Sequence, residues 1–173
     1  MKVIFLDIDG VLNSERSIIA FAYKAKDETD EPYGIRFAKA TIDPVSVGLL
    51  NRVLREFDAR IVLSSTHRSH FDEPDRLKKI QEYLTSLGVE GDRCIGFTPK
   101  LHTMRGIEIL TWIEDNAHVY KIENMIILDD SSDFLPIQKE FHVYCEGGNG
   151  ISEENYRKMT RLFGREDSGL ILL

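Results

Sequence analysis

The sequence predicts an α/β protein built on a mainly parallel sheet. Strand-like apolar runs alternate with stretches of helical periodicity, and the helical stretches carry recognisable start and stop residues. The third observation is chemical. Three of the apolar runs end in acids or hydroxyls, at Asp7 and Asp9, at Ser64 and Ser65, and at Asp129 and Asp130.

The first strand is read as Lys2 to Ile8, an apolar run closed by Asp7-Ile8-Asp9-Gly10. Alternate side chains of a strand point the same way, so Asp7 and Asp9 are expected to face one pocket. Gly10 lets the chain turn sharply behind them. Asp43 is an N-cap with Pro44 at the first helical position, and Val47, Leu50, Val53, Leu54 and Phe57 follow at helical spacing. A second strand, Arg60 to Leu63, ends at Ser64-Ser65. Pro74 is taken to open a helix whose Leu77, Ile80, Leu84 and Leu87 share a face, and Gly88 stops it. A short third strand falls near Cys94 to Phe97. Arg105 to Asn116 reads as a helix with Ile107, Leu110 and Ile113 or Trp112 directed inward. Met125 to Leu128 and Phe141 to Tyr144 are the fourth and fifth strands, and Ser152 caps a last helix running to Phe163.

Residues Ser14 to about Ile42 interrupt the alternation. Their centre, Lys26 to Pro32, is polar, and Phe21, Tyr23, Tyr33 and Phe37 flank it. The segment is long for a connection inside a compact unit. It is read as a flap over the strand ends, within a single domain covering residues 1–173.

At 173 residues the chain can bury about two-thirds of its unfolded surface without covalent staples. Cys94 and Cys145 lack metal-site or redox spacing and are read as reduced thiols in apolar segments. Neither a signal peptide nor a membrane-length apolar run is evident, so a soluble, cytoplasmic protein is expected, with no membrane association and no obligate protein partner. The net charge of −7 opposes an extended nucleic-acid footprint. Two acid-free basic windows stand against it, Thr66 to His70 and Thr98 to Arg105. His67 and His70 have no evident partner set for a metal and are read as solvated loop residues. Gly147 to Gly150 lacks the Lys-Ser/Thr of a P-loop and is read as a flexible turn. Gly169 to Leu173 is a docked end or an interaction patch.

In a parallel sheet the carboxyl ends of the strands share one edge, where ligands bind. Folding would gather four or five carboxylates there, an arrangement that calls for a cation. Oxygen ligands select a hard ion, Mg²⁺ rather than Zn²⁺.

These residues resemble the motifs of the haloacid dehalogenase-like superfamily of phosphohydrolases. Asp7-Ile8-Asp9-Gly10-Val11 is similar to its opening DxDG(V/T), Ser64 to the hydroxyl ending its second strand, Arg105-Gly106 to its basic third motif, and Asp129-Asp130-Ser131-Ser132-Asp133 to its acidic fourth. The resemblance implies a Rossmann-like three-layer sandwich, five-stranded with order 5-4-1-2-3, of the capless type. It further implies Asp7 as nucleophile, Asp9 as general acid and base, and Ser64 and Arg105 as phosphate-binding groups. Mg²⁺ would be held by Asp7 and by Asp129 with Asp130 or Asp133, directly or through water, and the backbone carbonyl of Asp9 would complete the shell. Ser65 is an alternative to Ser64, and Lys100 to Arg105. Gly10, Ser65 and Arg68 are taken as further substrate contacts. Ser64 to Arg68 and Arg105 to Ile109 resemble a branch of the superfamily associated with RNA-repair proteins, although that branch usually has Trp where His67 stands.

The implied activity is a Mg²⁺-dependent phosphomonoesterase working through an aspartyl phosphate. Its substrate would be a nucleic-acid end, a nucleotide or another phosphomonoester, a phosphoprotein included. The competing readings are a phosphate-binding domain without turnover and a receiver-like domain. The Ser ending the second strand argues against the receiver.

Overall fold

The computed structural model describes residues 1–24, 39–146 and 148–165. The polar centre of the expected flap, with Tyr33 and Phe37, the side chains of Phe21 and Tyr23, Gly147 and Gly169 to Leu173 lie outside the described residues.

Strands β1 (Lys2–Leu6), β2 (Arg60–Leu63), β3 (Cys94–Phe97), β4 (Asn124–Asp129) and β5 (His142–Tyr144) form one five-stranded sheet. All pairs are parallel, in the order β3-β2-β1-β4-β5. Among the described residues, helices α1 (Glu15–Lys24), α2 (Pro44–Glu56), α3 (Arg76–Ser86), α4 (Arg105–Asn116) and α5 (Glu153–Phe163) connect and follow the strands. Short 3-10 turns cover Thr66–His70, Gly91–Arg93 and Pro136–Phe141. The expected α/β class and strand order are both present.

The pleat explains the three layers. Ile4 and Leu6 pack with α2, α3 and α5 through Leu50, Leu54, Leu84 and Phe163. Val3 and Phe5 point the other way, to Ile109, Trp112 and Ile113 of α4 and to Phe134 and Phe141. Phe5 meets Trp112 edge to face at 5.6 Å, a geometry aromatic pairs favour. β1 is buried on both faces, which is why its sequence is a continuous apolar run rather than an alternating one.

Boundaries follow from local chemistry. Asp43 accepts from Val45 N and Ser152 from Asn155 N, so α2 and α5 begin where their caps predict. Leaving Pro74 outside it, α3 starts at Arg76, because Asp75 has φ 66° and cannot stand in a helical turn. The inward face of α4 is Ile109, Trp112 and Ile113 with Glu108, and Ile107 and Leu110 are only half-buried. The first strand stops at Leu6, two residues before its expected end. Ile8 N–H turns back onto Asp7 Oδ1, and Ile8 O accepts from Val11 and Leu12, which replaces strand pairing by a turn.

Running outward from β1 to β2 and β3, the chain then crosses to β4 on the other side of β1. The strand order therefore reverses between β1 and β4, the place where an open parallel sheet leaves a crevice. The expected acids lie at the mouth of that crevice. The start of the 14–42 segment is helical, and an antiparallel bridge between Asn13 and Ile42 closes its base. No helix among the described residues is long and apolar enough to cross a membrane. Cys94 and Cys145 are free and buried. Burial pushes their thiols up to about 11 and about 12, so they stay protonated and unreactive.

Candidate active site

Strand register brings the site together. Leu6 is level with both Leu63 and Leu128, so Asp7, Ser64 and Asp129 leave the sheet side by side. Asp7 N donates to Leu128 O at 3.0 Å and Ser64 N to Leu6 O at 2.8 Å, extending the ladder one residue beyond the strands.

Asp7, Asp129 and Asp130 each turn an oxygen into one cluster, with these atoms all within 4.8 Å of one another. Burial raises the Asp129 carboxyl to about 6, helped by the charge on Asp7. Asp130 moves in the same direction for the same two reasons. Asp129 Oδ1 accepts from Ser131 N and Ser131 Oγ, at 2.8 and 2.7 Å, while the buried Oδ2 has no aligned hydrogen-bond donor among the described residues. Its contact among the described residues is the Arg105 guanidinium at 3.0 Å, which leaves a lone pair for a cation. An oxygen-only donor set of three carboxylates is the chemistry that holds a hard divalent ion, so the residues fit a metal.

Arg105 supplies the counter-charge. Its Nη1 lies 3.2 Å from Asp7 Oδ2 and 3.0 Å from Asp129 Oδ2, and donates to Ser64 O at 2.6 Å. Burial acts to lower its pKa, but the Asp7 and Asp129 carboxylates outweigh burial and the net shift is upward. Lys100 is exposed; it is Arg105 that reaches the acids. The neighbouring glycine makes that reach possible, because a Cβ on Gly106 would stand 2.7 Å from Leu135 N and 3.0 Å from Phe134 Cα. Only without one can the start of α4 sit so close to the loop after β4.

Asp133 has a different place from the one expected of a metal ligand. Its Oδ2 accepts from Arg105 N at 3.1 Å and its carbonyl from Gly106 N, so it closes the start of α4, where Met104 offers no capping side chain. The side chain of Asp9 also stands outside the carboxylate cluster. Since the strand ends at Leu6, Asp9 does not share the side of Asp7 by alternation, and its side chain is 53% exposed. Its Oδ2 is 3.0 Å from His67 Nε2 and its Oδ1 is 3.4 Å from Asn13 Nδ2. The hydrogen bond with His67 holds the Asp9 carboxyl below the usual range, with burial opposing. Gly10 adopts φ 72°, and a Cβ there would collide with the carboxylate of Asp130. The glycine therefore makes room for Asp130 as well as forming the turn.

The two serines divide their work. Ser65 Oγ accepts from His67 N and caps the Thr66–His70 turn. Ser64 Oγ is buried without a hydrogen-bond partner among the described residues, as is Thr98 Oγ1, which leaves β3 abreast of it. His67 is buried rather than solvated, because Asp9 and Tyr83 satisfy both its nitrogens; His70 is exposed as expected.

Arg68 does not extend into the pocket. It is 4% exposed, donates to the carbonyls of Ser64, Ser65 and Pro99, and pairs with Glu108 at 2.5 Å. Glu108 also accepts from Leu101 N at 2.9 Å. The pair thus ties the loops after β2 and β3 to α4, which fixes Ser64 relative to Arg105. The basic charge of Arg68 is visible in the sequence but its partner is not, since nothing in the spacing of 68 and 108 announces a contact. Glu108→Ala leaves that guanidinium buried and unpaired, and is expected to cost about 3–5 kcal/mol. Urea denaturation measures this, and a loss below about 1 kcal/mol would show the pair to be no more than a surface contact.

The model for the HAD domain in Swiss Army Knife RNA repair proteins matches residues 3–156. No curated protein and no solved structure matches the chain. That match runs from β1 into α5 and takes in every residue of the site, so the chain belongs to the family of HAD domains found in Swiss Army Knife RNA repair proteins.

Proposed function

We propose that the protein is a Mg²⁺-dependent phosphomonoesterase that forms an aspartyl phosphate on Asp7 and acts on a phosphorylated nucleic-acid end or a nucleotide. The observation that carries this is Asp7 itself. It is 6% exposed, lies in the carboxylate cluster and touches Arg105, so one oxygen can serve the metal while the carboxylate faces an incoming phosphate.

Mg²⁺ held by Asp7, Asp129 and Asp130 would screen the carboxylates from the anionic substrate and stabilise the charge of the transferring group. Arg105 binds the phosphoryl oxygens, and Ser64 Oγ, which has no hydrogen-bond partner among the described residues, donates to one of them. Asp7 attacks phosphorus, the leaving oxygen departs with a proton from Asp9, and the covalent step divides one slow hydrolysis into two. Asp9 then takes a proton from the water that releases phosphate and regenerates Asp7. A phosphate group arriving beside Asp9 raises its pKa by like-charge repulsion, opposing the effect of His67 and favouring the protonated acid.

Among the described residues all five strands join one sheet, which supports reading residues 1–173 as one domain, with a flap at about 14–42 in place of a cap. A core without a cap domain would admit the end of a polymer. The occurrence of the family in RNA repair proteins favours RNA ends among the substrates, and the net charge of −7 favours a short footprint there.

The test is a comparison of kcat/KM on 5′- and 3′-phosphorylated oligoribonucleotides, mononucleotides, sugar phosphates and phosphopeptides, with EDTA and with Mg²⁺ restored. Oligonucleotide ends or nucleotides are expected to lead, and chelation to abolish turnover. Preference for a phosphopeptide would reassign the substrate. Phosphate binding without turnover on any of them would make the chain a binding domain instead.

A further inference from the structure

We propose that His67 is a positioning residue for Asp9, acting in a hydrogen-bonded chain that runs from buried Tyr83 through buried His67 to Asp9. The inference rests on the reading of Asp9 as the proton carrier. The sequence supplies the geometry locally. Ser65 caps the Thr66–His70 turn, which directs the His67 ring back toward the loop after β1. Its Nε2 meets Asp9 Oδ2 at 3.0 Å and its Nδ1 meets Tyr83 Oη at 2.7 Å.

Burial distinguishes the three groups. His67 is 6% and Tyr83 5% exposed, whereas the side chain of Asp9 is 53% exposed. A half-exposed aspartate has rotamer freedom to lose, and a rigid buried ring on one oxygen removes it. Asn13 assists from the other oxygen at 3.4 Å, and is itself anchored by accepting from Gly10 N at 2.7 Å. Oδ1 carries only that long contact among the described hydrogen bonds, which leaves it available to a leaving group.

Tyr83 sets the direction of the chain. An ionised carboxylate can only accept, so Nε2 carries the hydrogen toward Asp9. The Nδ1 of a neutral ring then has a lone pair, and Tyr83 donates to it. The hydroxyl on α3 thereby selects the tautomer that donates to Asp9. Ring contacts of Tyr83 with His67 and Phe71, at 5.9 and 5.2 Å, hold this arrangement in the core. A general acid must stand within hydrogen-bond reach of the leaving oxygen, and a displacement of about 1 Å can cost about 100-fold in rate.

The leaving group provides the readout. A p-nitrophenolate leaves without a proton, whereas the alkoxide of glycerol 2-phosphate requires one. His67→Phe is therefore expected to lose about 100-fold in kcat/KM, which reports formation of the aspartyl phosphate and not its hydrolysis, on glycerol 2-phosphate and to stay within about threefold on p-nitrophenyl phosphate. His67→Gln, whose amide nitrogen reaches the position of Nε2, should recover most of the loss. Tyr83→Phe should show a smaller loss of the same kind. Equal losses on the two substrates, or none, would overturn the proposal. If thermal melting shows that His67→Phe does not fold, Tyr83→Phe decides the matter by the same selectivity between substrates. Asp9→Asn is measured alongside. If it fails to discriminate between the substrates, the acid role of Asp9 is wrong; if it discriminates and the His67 and Tyr83 variants do not, only the positioning role is wrong.

Discussion

Asp7→Asn is expected to lower kcat by about 10⁵-fold, on the scale seen when a nucleophile is removed from an enzyme, while the protein keeps its fold. An amide is a poor nucleophile toward phosphorus and a poor ligand for a hard cation, so both roles of Asp7 are lost together. The fold should survive because Asn retains the oxygen that accepts from Ile8 N at 2.8 Å. The strand beneath it is held by ladder bonds to β2 and β4 that do not involve the side chain. Steady-state assays with Mg²⁺ measure the loss, after mass spectrometry has excluded deamidation back to Asp. Trapping of a phosphorylated protein in acid adds an independent readout, with label on the wild type and none on the variant. Turnover above about one-tenth of wild type would remove Asp7 from the nucleophile's place, since a covalent nucleophile is worth far more than tenfold.

Much of this site is legible in the sequence because it is built from short-range features. Asp7, Ser64 and Asp129 each stand one position past or at the end of an apolar run, and parallel register does the rest. Arg105-Gly106 is legible too, as a basic residue opening an amphipathic helix. What stays hidden depends on pairs far apart in the chain. Arg68 and Glu108 lie 40 residues apart, and His67 and Asp9 are separated by 58. Periodicity reports which face of an element is apolar; it says nothing of which polar side chain will be carried inward with its partner. Hence the sequence suggests a substrate contact at Arg68 and a solvated ring at His67, and the fold buries both. The departures at Asp9 and Asp133 have a local cause instead. The strand stops at Leu6, so two-residue alternation no longer applies to Asp9. Asp133 is taken up by the uncapped start of α4. In a DDxxD run only the partners of each carboxylate separate ligand from cap, and those partners are tertiary.

Asp129→Asn is expected to abolish both the Mg²⁺ response and turnover, while making the metal-free protein more stable at neutral pH. The two effects share one origin. Asp129 is 1% exposed and faces Asp7, so its ionised form is costly in the folded chain, and its carboxyl is raised from 3.8 to about 6. Below the lower value both folded and unfolded chains hold the proton, and the group carries no penalty. As pH rises through about 6 the folded state must give the proton up, and the penalty becomes complete above that point. The sign is therefore opposite to that of a salt-bridged aspartate. Asn keeps the Oδ1 that accepts from Ser131 and removes the charge. The metal-free Asp129→Asn protein should gain about 2 kcal/mol at pH 7.5 and nothing at pH 4, the gain being limited because Arg105 loses one of two carboxylate partners. Adding Mg²⁺ should raise the melting temperature of wild type at pH 7.5, where cation binding relieves the same repulsion. That rise should fade as pH falls below about 6, because protons then compete for the ligand oxygen. The variant should show no rise at any pH. A variant that still melts higher with Mg²⁺ would place the cation elsewhere than between β1 and β4; one that is destabilised at pH 7.5 when metal-free would mean that the Arg105 bridge outweighs the repulsion it spans.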